Sequence, residues 1–252
     1  MIIARLTRDL RTLKACSLTC RSWYTASAPP LHHTLTLTWN ASRTNRNQLD
    51  PLPELHELGL MPLVKKIQVL QSDIGAPWFV PQAFNHLCLR YFSAFTNVRT
   101  LMLNEPHIYP FIPGIERYFE QFSPTLRSIM LFNSHCTPRQ LSHFLSLFTN
   151  LDDIEIRNAY TYIPDAPIPD TELAPLSEPK LRGRLLLYNF SWVEAWTHLI
   201  TSCGGLRFRY MHLRWSTDCA RTLLEACAET LEVLRLNTTD SEFFMGVSTD
   251  WS

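Results

Sequence analysis

The sequence predicts an α/β fold in which a curved parallel β-sheet carries helices on its outer side. Two observations lead to this prediction. A short strand-like phrase recurs along the chain, and amphipathic helical stripes fill the intervals between its copies. Strand then helix, repeated, favours a parallel sheet, and units of this size stack into a solenoid because each buries its apolar face only against its neighbours. A short helical segment precedes the repeats.

The recurring phrase has the form apolar-x-x-apolar-x-apolar, as in "VRTLML" from Val98 to Leu103. Its last two apolar positions are two residues apart, as in a half-buried strand. Five copies fit the form closely and two fit it loosely. We expect strands centred on the middle positions, which are Ile67, Leu101, Ile129, Ile154, Leu185, Met211 and Leu234. An asparagine often follows the phrase, at Asn104, Asn133, Asn158, Asn189 and Asn237.

Five helical stripes lie between the phrases, with apolar residues that step by three and four. The stripe from Leu141 to Phe148 is entered through Thr137 and Pro138, a favourable pair for a helix start. The others lie around residues 84–95, 115–122, 193–203 and 219–227. Their aromatic residues predict core packing rather than a cofactor pocket.

The two ends of the sheet and one insertion can also be predicted. The segment "LHHTLTLTW" from Leu31 to Trp39 alternates threonine with apolar residues and should start the sheet. The final "TTDSEFFMGVSTDWS" holds no clear closing helix, so we expect the repeats to stop there without a cap. Five prolines at about 162–180 predict an extended insertion between repeats. We therefore expect a helical segment over residues 1–30 and the repeats over residues 31–252.

Composition excludes several classes of function. Lys plus Arg and Asp plus Glu both number 23, so the formal net charge is zero and no general attraction for nucleic acid or anionic membrane is expected. The seven cysteines include no C-x-x-C pair, which favours reduced thiols. No apolar run approaches the roughly 18 residues that span a bilayer. We expect a cytoplasmic or nuclear protein with no membrane contact.

Motifs for catalysis are absent from the sequence. It contains no phosphate-binding loop, no G-x-S-x-G, no H-E-x-x-H and no Cys/His cluster with metal-ligand spacing. Cys16 and Cys20 are one helical turn apart and could bind a soft metal, but core packing is the better interpretation without a second ligand pair. His32 and His33 precede a strand and are interpreted as exposed loop histidines. We therefore predict no catalytic residues, no metal and no cofactor, and an enzyme with an unfamiliar site is the least favoured hypothesis.

The N-terminal pattern "DLRTLKACSLTCRSW" carries a specific resemblance. Cys16, Leu18, Cys20, Arg21 and Trp23 follow the order of a small residue or cysteine, a leucine, a cysteine, a basic residue and a tryptophan. This order resembles the second and third helices of an F-box. The intervals between the later phrases lie in or near the 20–29-residue period of leucine-rich repeats. The chain as a whole is similar to fungal F-box proteins with an irregular leucine-rich tail.

The resemblance implies a role in protein turnover. An F-box docks on a Skp-type adaptor, which joins a cullin–RING ubiquitin ligase, and the leucine-rich tail holds a protein substrate without performing chemistry itself. The adaptor-binding residues would be Ile3, Leu6, Leu10, Leu13, Cys16, Leu18, Cys20 and Trp23. The opening L-P-x-E segment of the family is absent, and Met1 falls where the first helix should be under way. Part of the adaptor-binding surface is therefore expected to be missing.

Two interpretations of the N-terminal helices remain open. In one they form a docking surface, with Leu6 and Leu10 exposed and Trp23 packed on the first strand through Leu35 and Leu37. In the other they only cap the N-terminal end of the repeats. A separate alternative for the function is a leucine-rich scaffold with no ligase role, because the F-box is truncated.

The substrate-binding surface should consist of strand residues that alternate with the buried ones. The candidates are Met102, Met130, Phe132, Glu155, Arg157, Leu186, Tyr188, His212, Arg214 and Arg235. This surface is apolar near the early repeats and basic near the late ones. The alternative is that these are ordinary solvated positions, but methionine and phenylalanine exposed together favour a binding site.

Overall fold

The computed structural model describes residues 9–39, 51–71, 90–104, 119–136, 138–161, 181–189, 196–197, 206–214, 217–238 and 241–246. The predicted proline-rich insertion at 162–180 lies outside these residues, as do half of the predicted stripes around residues 84–95 and 115–122 and most of the stripe around 193–203.

Eleven strands occur in the described residues: β1 (Thr34–Trp39), β2 (Lys66–Gln71), β3 (Thr100–Asn104), β4 (Ser128–Phe132), β5 (His135–Cys136), β6 (Asp153–Arg157), β7 (Tyr160–Thr161), β8 (Arg182–Tyr188), β9 (Arg207–Arg214), β10 (Val233–Thr238) and β11 (Ser241–Gly246). Eight of them form a parallel sheet in the order β1-β2-β3-β4-β6-β8-β9-β10. This confirms the α/β class, and each predicted strand centre lies in its strand. β5 and β7 pair separately.

The expected uncapped end of the sheet needs a correction. β11 pairs with β10 in the antiparallel direction and adds a ninth strand at this edge. Its sequence "SEFFMG" lacks the apolar-x-x-apolar-x-apolar phrase, so the search for parallel repeats missed it.

The described helices are α1 (Leu10–Ser17), α2 (Arg21–Leu31), α3 (Pro51–Glu57), α4 (Pro138–Ser146) and α5 (Thr217–Cys227), with 3-10 turns at Met61–Leu63 and Phe92–Ala94. The stripes predicted over 141–148 and 219–227 form α4 and α5. Both helices supply residues to the core, among them Phe144 and Leu223.

The core lies between these helices and one face of the sheet. The residues of this face align across the strands in register, beginning with Leu35, Ile67, Leu101 and Ile129. They are nearly inaccessible to solvent and belong to the same buried cluster as the helical side chains. Burial of aliphatic and aromatic side chains in one continuous layer is the main stabilising contribution to such a sheet.

The opposite face of the sheet, which we call the open face, carries two continuous rows of side chains. The inner row is Thr36, Gln68, Met102, Met130, Glu155, Leu186, His212 and Arg235. The outer row is Thr38, Leu70, Asn104, Phe132, Arg157, Tyr188, Arg214 and Asn237. All ten predicted substrate-binding residues belong to these rows, so the predicted strand register is confirmed.

Asparagines mark the end of successive strands, as their recurrence in the sequence suggested. Asn133, Asn158 and Asn189 all have a positive φ, a conformation that asparagine adopts more readily than most residues. The side-chain amide of Asn158 donates to Asn133 Oδ1 at 2.9 Å, and that of Asn189 donates to Asn158 Oδ1 at 2.7 Å. The same residue type in the same conformation thus links each strand end to the preceding one.

Candidate functional site

An arginine stacked between two aromatic rings lies at the centre of the open face. The Arg157 guanidinium carbon is 4.7 Å from the centroid of the Tyr188 ring and 5.4 Å from that of Phe132. Tyr188 on β8 and Phe132 on β4 are both in register with Arg157 on β6, the strand between them. A cation over an aromatic face is attracted by the ring quadrupole, so the three side chains hold each other in place.

Glu155 corrects the prediction of an exposed row. Glu155 is only 9% exposed, and its Oε1 accepts a hydrogen bond from Arg157 Nε at 2.5 Å. The neighbours of Glu155 in the row are Met130 and Leu186, which shield the carboxylate from water. A carboxylate in such surroundings needs a hydrogen-bonded countercharge, which Arg157 supplies.

Next along the sheet, Tyr188 contacts His212 on β9. The Tyr188 hydroxyl and His212 Nδ1 are 3.1 Å apart, and the ring centroids are 5.1 Å apart in an edge-on arrangement. His212 Nε2 is buried and has no hydrogen-bond partner among the residues that the structure describes. A chain of contacts therefore runs from Phe132 through Arg157 and Tyr188 to His212.

The strands β8, β9 and β10 form a basic end of the sheet. Their segments contain six arginines and neither aspartate nor glutamate. Three of these arginines pair with carboxylates outside the three strands, as Arg182–Asp152, Arg184–Asp153 and Arg209–Glu232. The Arg235 guanidinium lies 5.5 Å from the Tyr210 ring centroid. In the described part of the chain, no ion pair joins Arg207 or Arg214 to a carboxylate.

The early strands carry the apolar end of the open face. Met102 and Met130 are neighbours in the inner row, and both are partly exposed. Phe132, at the end of β4, is also partly exposed, and the Gln68 side chain donates to the Met102 sulfur at 3.4 Å. The predicted gradient from apolar to basic along the sheet is therefore present.

A second surface, which we call the helical patch, is formed on α1 and α2. Asp9 caps α1 because its carboxylate accepts from the Thr12 amide at 3.0 Å and from the Thr12 hydroxyl at 2.6 Å. These hydrogen bonds lower the pKa of Asp9. The patch consists of four exposed apolar residues, Leu10, Leu18, Trp23 and Tyr24.

The predicted adaptor-binding residues divide into three groups. Leu10, Leu18, Cys20 and Trp23 are exposed, whereas Leu13 and Cys16 are buried and hold the helices in place. Ile3 and Leu6 lie outside the described residues. Trp23 was expected to pack on β1, but 47% of it is exposed, so that expectation of a buried anchor is wrong. Ser27 and Ala28, one turn later on α2, are buried instead, because small side chains fit where α2 packs closely.

A small cavity between α2, β1 and α3 was missed at the sequence level. It has a volume of about 230 Å³ and is lined by residues that include His32, Glu54 and Leu58. His32 was interpreted as an exposed loop residue without an acidic partner, but it is half-buried. Burial lowers its pKa, and the Glu54 carboxylate opposes this effect. The two residues are far apart in the sequence, so no local pattern indicated the contact.

Other site classes have no support in the described residues. No group of three or more metal-ligating side chains occurs there. No helix within these ranges is both long and apolar enough to cross a bilayer. The chain matches no protein-family model, and a search of curated proteins found no significant similarity.

Proposed function

We propose that the chain is the substrate-recognition subunit of a cullin–RING ubiquitin ligase. The helical patch binds a Skp-type adaptor, and the open face of the sheet binds the protein substrate. The protein performs no chemistry itself and acts in the cytoplasm or nucleus, by positioning its substrate for ubiquitin transfer. The observation that carries this proposal is the exposure of Leu10, Leu18 and Trp23 on the two helices whose sequence resembles an F-box.

The exposure of the patch argues for a partner. Leu18 is 87% exposed and Leu10 is 54% exposed, although the helix between them buries Leu13 and Cys16. Several large apolar side chains left exposed on one short helical segment are a liability in water unless another protein covers them. If the helices only capped the sheet, we would expect these side chains to turn inward.

The regularity of the sheet supports a leucine-rich-repeat solenoid as the substrate-binding part. Eight strands follow each other in chain order and each buries its middle apolar residue, and the same asparagine contact recurs between the ends of β4, β6 and β8. Repeated units whose contacts are made mainly with their neighbours are typical of solenoids. Such sheets present a long, continuous row of side chains to a partner.

The test is a pull-down of a purified Skp-type adaptor by the wild-type chain and by Leu10→Asp. We expect the wild type to bind and the variant to lose binding, because burying an unpaired carboxylate in an apolar interface is costly. Leu58→Asp is a matched control. Leu58 is 57% exposed, close to the value for Leu10, but lies after α3, outside the helical patch. Circular dichroism confirms that all three proteins are folded.

The alternative is a leucine-rich scaffold with no ligase role. It is favoured by the Arg157–Glu155 ion pair, whose carboxylate is nearly buried, and by the aromatic rings around it, which give the open face a defined structure whether or not an adaptor binds. Failure of the folded wild-type chain to bind the adaptor would contradict the ligase proposal. Equal loss of binding in Leu10→Asp and Leu58→Asp would contradict the assignment to the helical patch.

A further inference from the structure

We infer that the basic end of the open face binds an acidic, extended segment of the partner protein, and that an apolar side chain of the same segment is held near Phe132 and Met130. This inference deepens the proposed substrate-binding role and rests on it. The inference is based on a comparison of the arginines on this face that pair with a carboxylate of the protein with Arg214, which pairs with none in the described ranges.

The charge of the central arginine is already paired within the protein, although 49% of its side chain is exposed. Glu155 neutralises Arg157, and the rings of Phe132 and Tyr188 flank its guanidinium. Arg184 is likewise paired with Asp153. These contacts leave a platform in the middle of the face whose charges are balanced within the protein.

Arg214 differs from these arginines. It is exposed, it follows Tyr188 in the outer row, and no carboxylate in the described residues pairs with it. β8, β9 and β10 contain no acidic residue, so no carboxylate of these three strands offsets its charge. The next acidic residue in register is Glu242 on β11, two strands away. A carboxylate from a partner would form a charge-assisted hydrogen bond with Arg214, and the adjacent Tyr188 ring would limit its exposure to water.

The spacing of the face restricts the partner further. Phe132 and Arg214 lie in the same row on β4 and β9, with β6 and β8 between them. Three strand spacings amount to roughly 14 Å, which about four residues of extended chain would cover. The segment therefore carries its acidic residue about four positions from its apolar residue, and it crosses the strands rather than pairing with a sheet edge.

A protein segment fits this face better than a nucleic acid does. Three of the six arginines pair with Asp152, Asp153 and Glu232, and the guanidinium of Arg235 lies against the Tyr210 ring. A phosphate backbone requires a stripe of cations along its length. One exposed arginine beside aromatic rings is instead suited to a single carboxylate with an apolar neighbour.

The test is a selection of short random peptides on the immobilised full-length chain, followed by affinity measurements on the selected peptides. We expect enrichment of aspartate or glutamate about four residues from a large apolar residue. Arg214→Gln should weaken binding of a selected peptide by roughly tenfold, the value of one charge-assisted hydrogen bond. Binding should also weaken as sodium chloride is raised, because part of the attraction is electrostatic.

Arg207→Gln is the matched control. Arg207 is an exposed arginine on the same strand, also without an ion pair, but at the opposite end of β9. That end is roughly 20 Å away along the strand, beyond the screening length at physiological salt, so affinity should stay within about twofold of wild type. Equal losses in the two variants would show a diffuse charge effect and overturn the inference.

Three further outcomes would overturn the inference. They are the absence of any selected peptide, selected peptides with no excess of acidic residues, and tighter binding of a single-stranded oligonucleotide with the same sensitivity to Arg214→Gln. These results are separable from the adaptor test. Adaptor binding without acidic-peptide binding would leave the proposed ligase role and remove this inference, whereas the reverse result would leave an acidic-segment scaffold.

Discussion

The guanidinium carbon of Arg157 lies 4.7 Å from the centroid of the Tyr188 ring, one strand away in the sheet. The same guanidinium pairs with Glu155, so one side chain joins an aromatic contact to a nearly buried charge. Removing this arginine should therefore remove the aromatic contact and leave the Glu155 carboxylate without its countercharge.

Arg157→Ala should lower the free energy of unfolding by about 1–2 kcal/mol, because it leaves the Glu155 carboxylate shielded from water without a countercharge. Adding Glu155→Met should restore most of the loss, since methionine matches the neighbouring Met130 and Leu186. Urea unfolding of both variants measures the effect. Arg184→Ala, which removes an exposed ion pair, should cost less than about 1 kcal/mol. If the double variant Arg157→Ala/Glu155→Met is no more stable than Arg157→Ala, the Glu155 carboxylate does not require the arginine as its countercharge.

Adjacent residues of β4 should respond differently to truncation. Leu131 is fully buried, so Leu131→Ala should cost about 2–5 kcal/mol through lost apolar burial and the cavity left behind. Met130 is partly exposed on the open face, so Met130→Ala should cost much less. Denaturant unfolding of the two variants tests the register of the strand. Equal losses would mean that β4 directs both side chains into comparable surroundings.

Two glycines with positive φ allow the cost of backbone strain to be separated from the cost of a steric clash. A Cβ at Gly183 would lie 2.0 Å from the Asp152 carbonyl oxygen, whereas a Cβ at Gly59 would meet nothing within 4 Å. Gly59→Ala should cost about 1 kcal/mol from backbone conformation alone. Gly183→Ala should cost about 3 kcal/mol or more, because it also forces β8 away from the residue before β6. Thermal unfolding of both variants checks this, and a similar loss in the two would rule out the steric contribution.

The Asp9 cap should make α1 sensitive to acid. Hydrogen bonds from the Thr12 hydroxyl and amide favour the carboxylate and lower the pKa of Asp9. A group with a lowered pKa stabilises the folded state above its unfolded pKa, and this stabilisation is lost as the pH falls through the lowered value. The Thr12 amide resonance should report this transition in an NMR titration. Asp9→Asn keeps a capping side chain without the charge and should abolish this pH transition. If the transition persists in Asp9→Asn, another titrating group causes it.

Strand position and register could be predicted because the information is local. Most strands alternate residues of the core face with residues of the open face, and a shift by one residue would move their core leucines to the open face. The phrase around Leu101 or Ile154 therefore specifies which side chains face the helices. The same alternation identified Met130, Tyr188 and His212 as residues of the open face.

Partners across the fold could not be predicted in this way. The burial of Glu155 depends on the side chains of the adjacent strands, and His32 meets Glu54 only because α3 packs beside β1. Gly183 has no room for a side chain because of a carbonyl in another unit, and Trp23 is exposed whereas smaller residues of α2 are buried. The sequence by itself determined the alternation within each strand, which local backbone geometry enforces. The tertiary structure decided which charges are neutralised and which apolar residues remain uncovered, because both depend on distances between segments far apart in the chain.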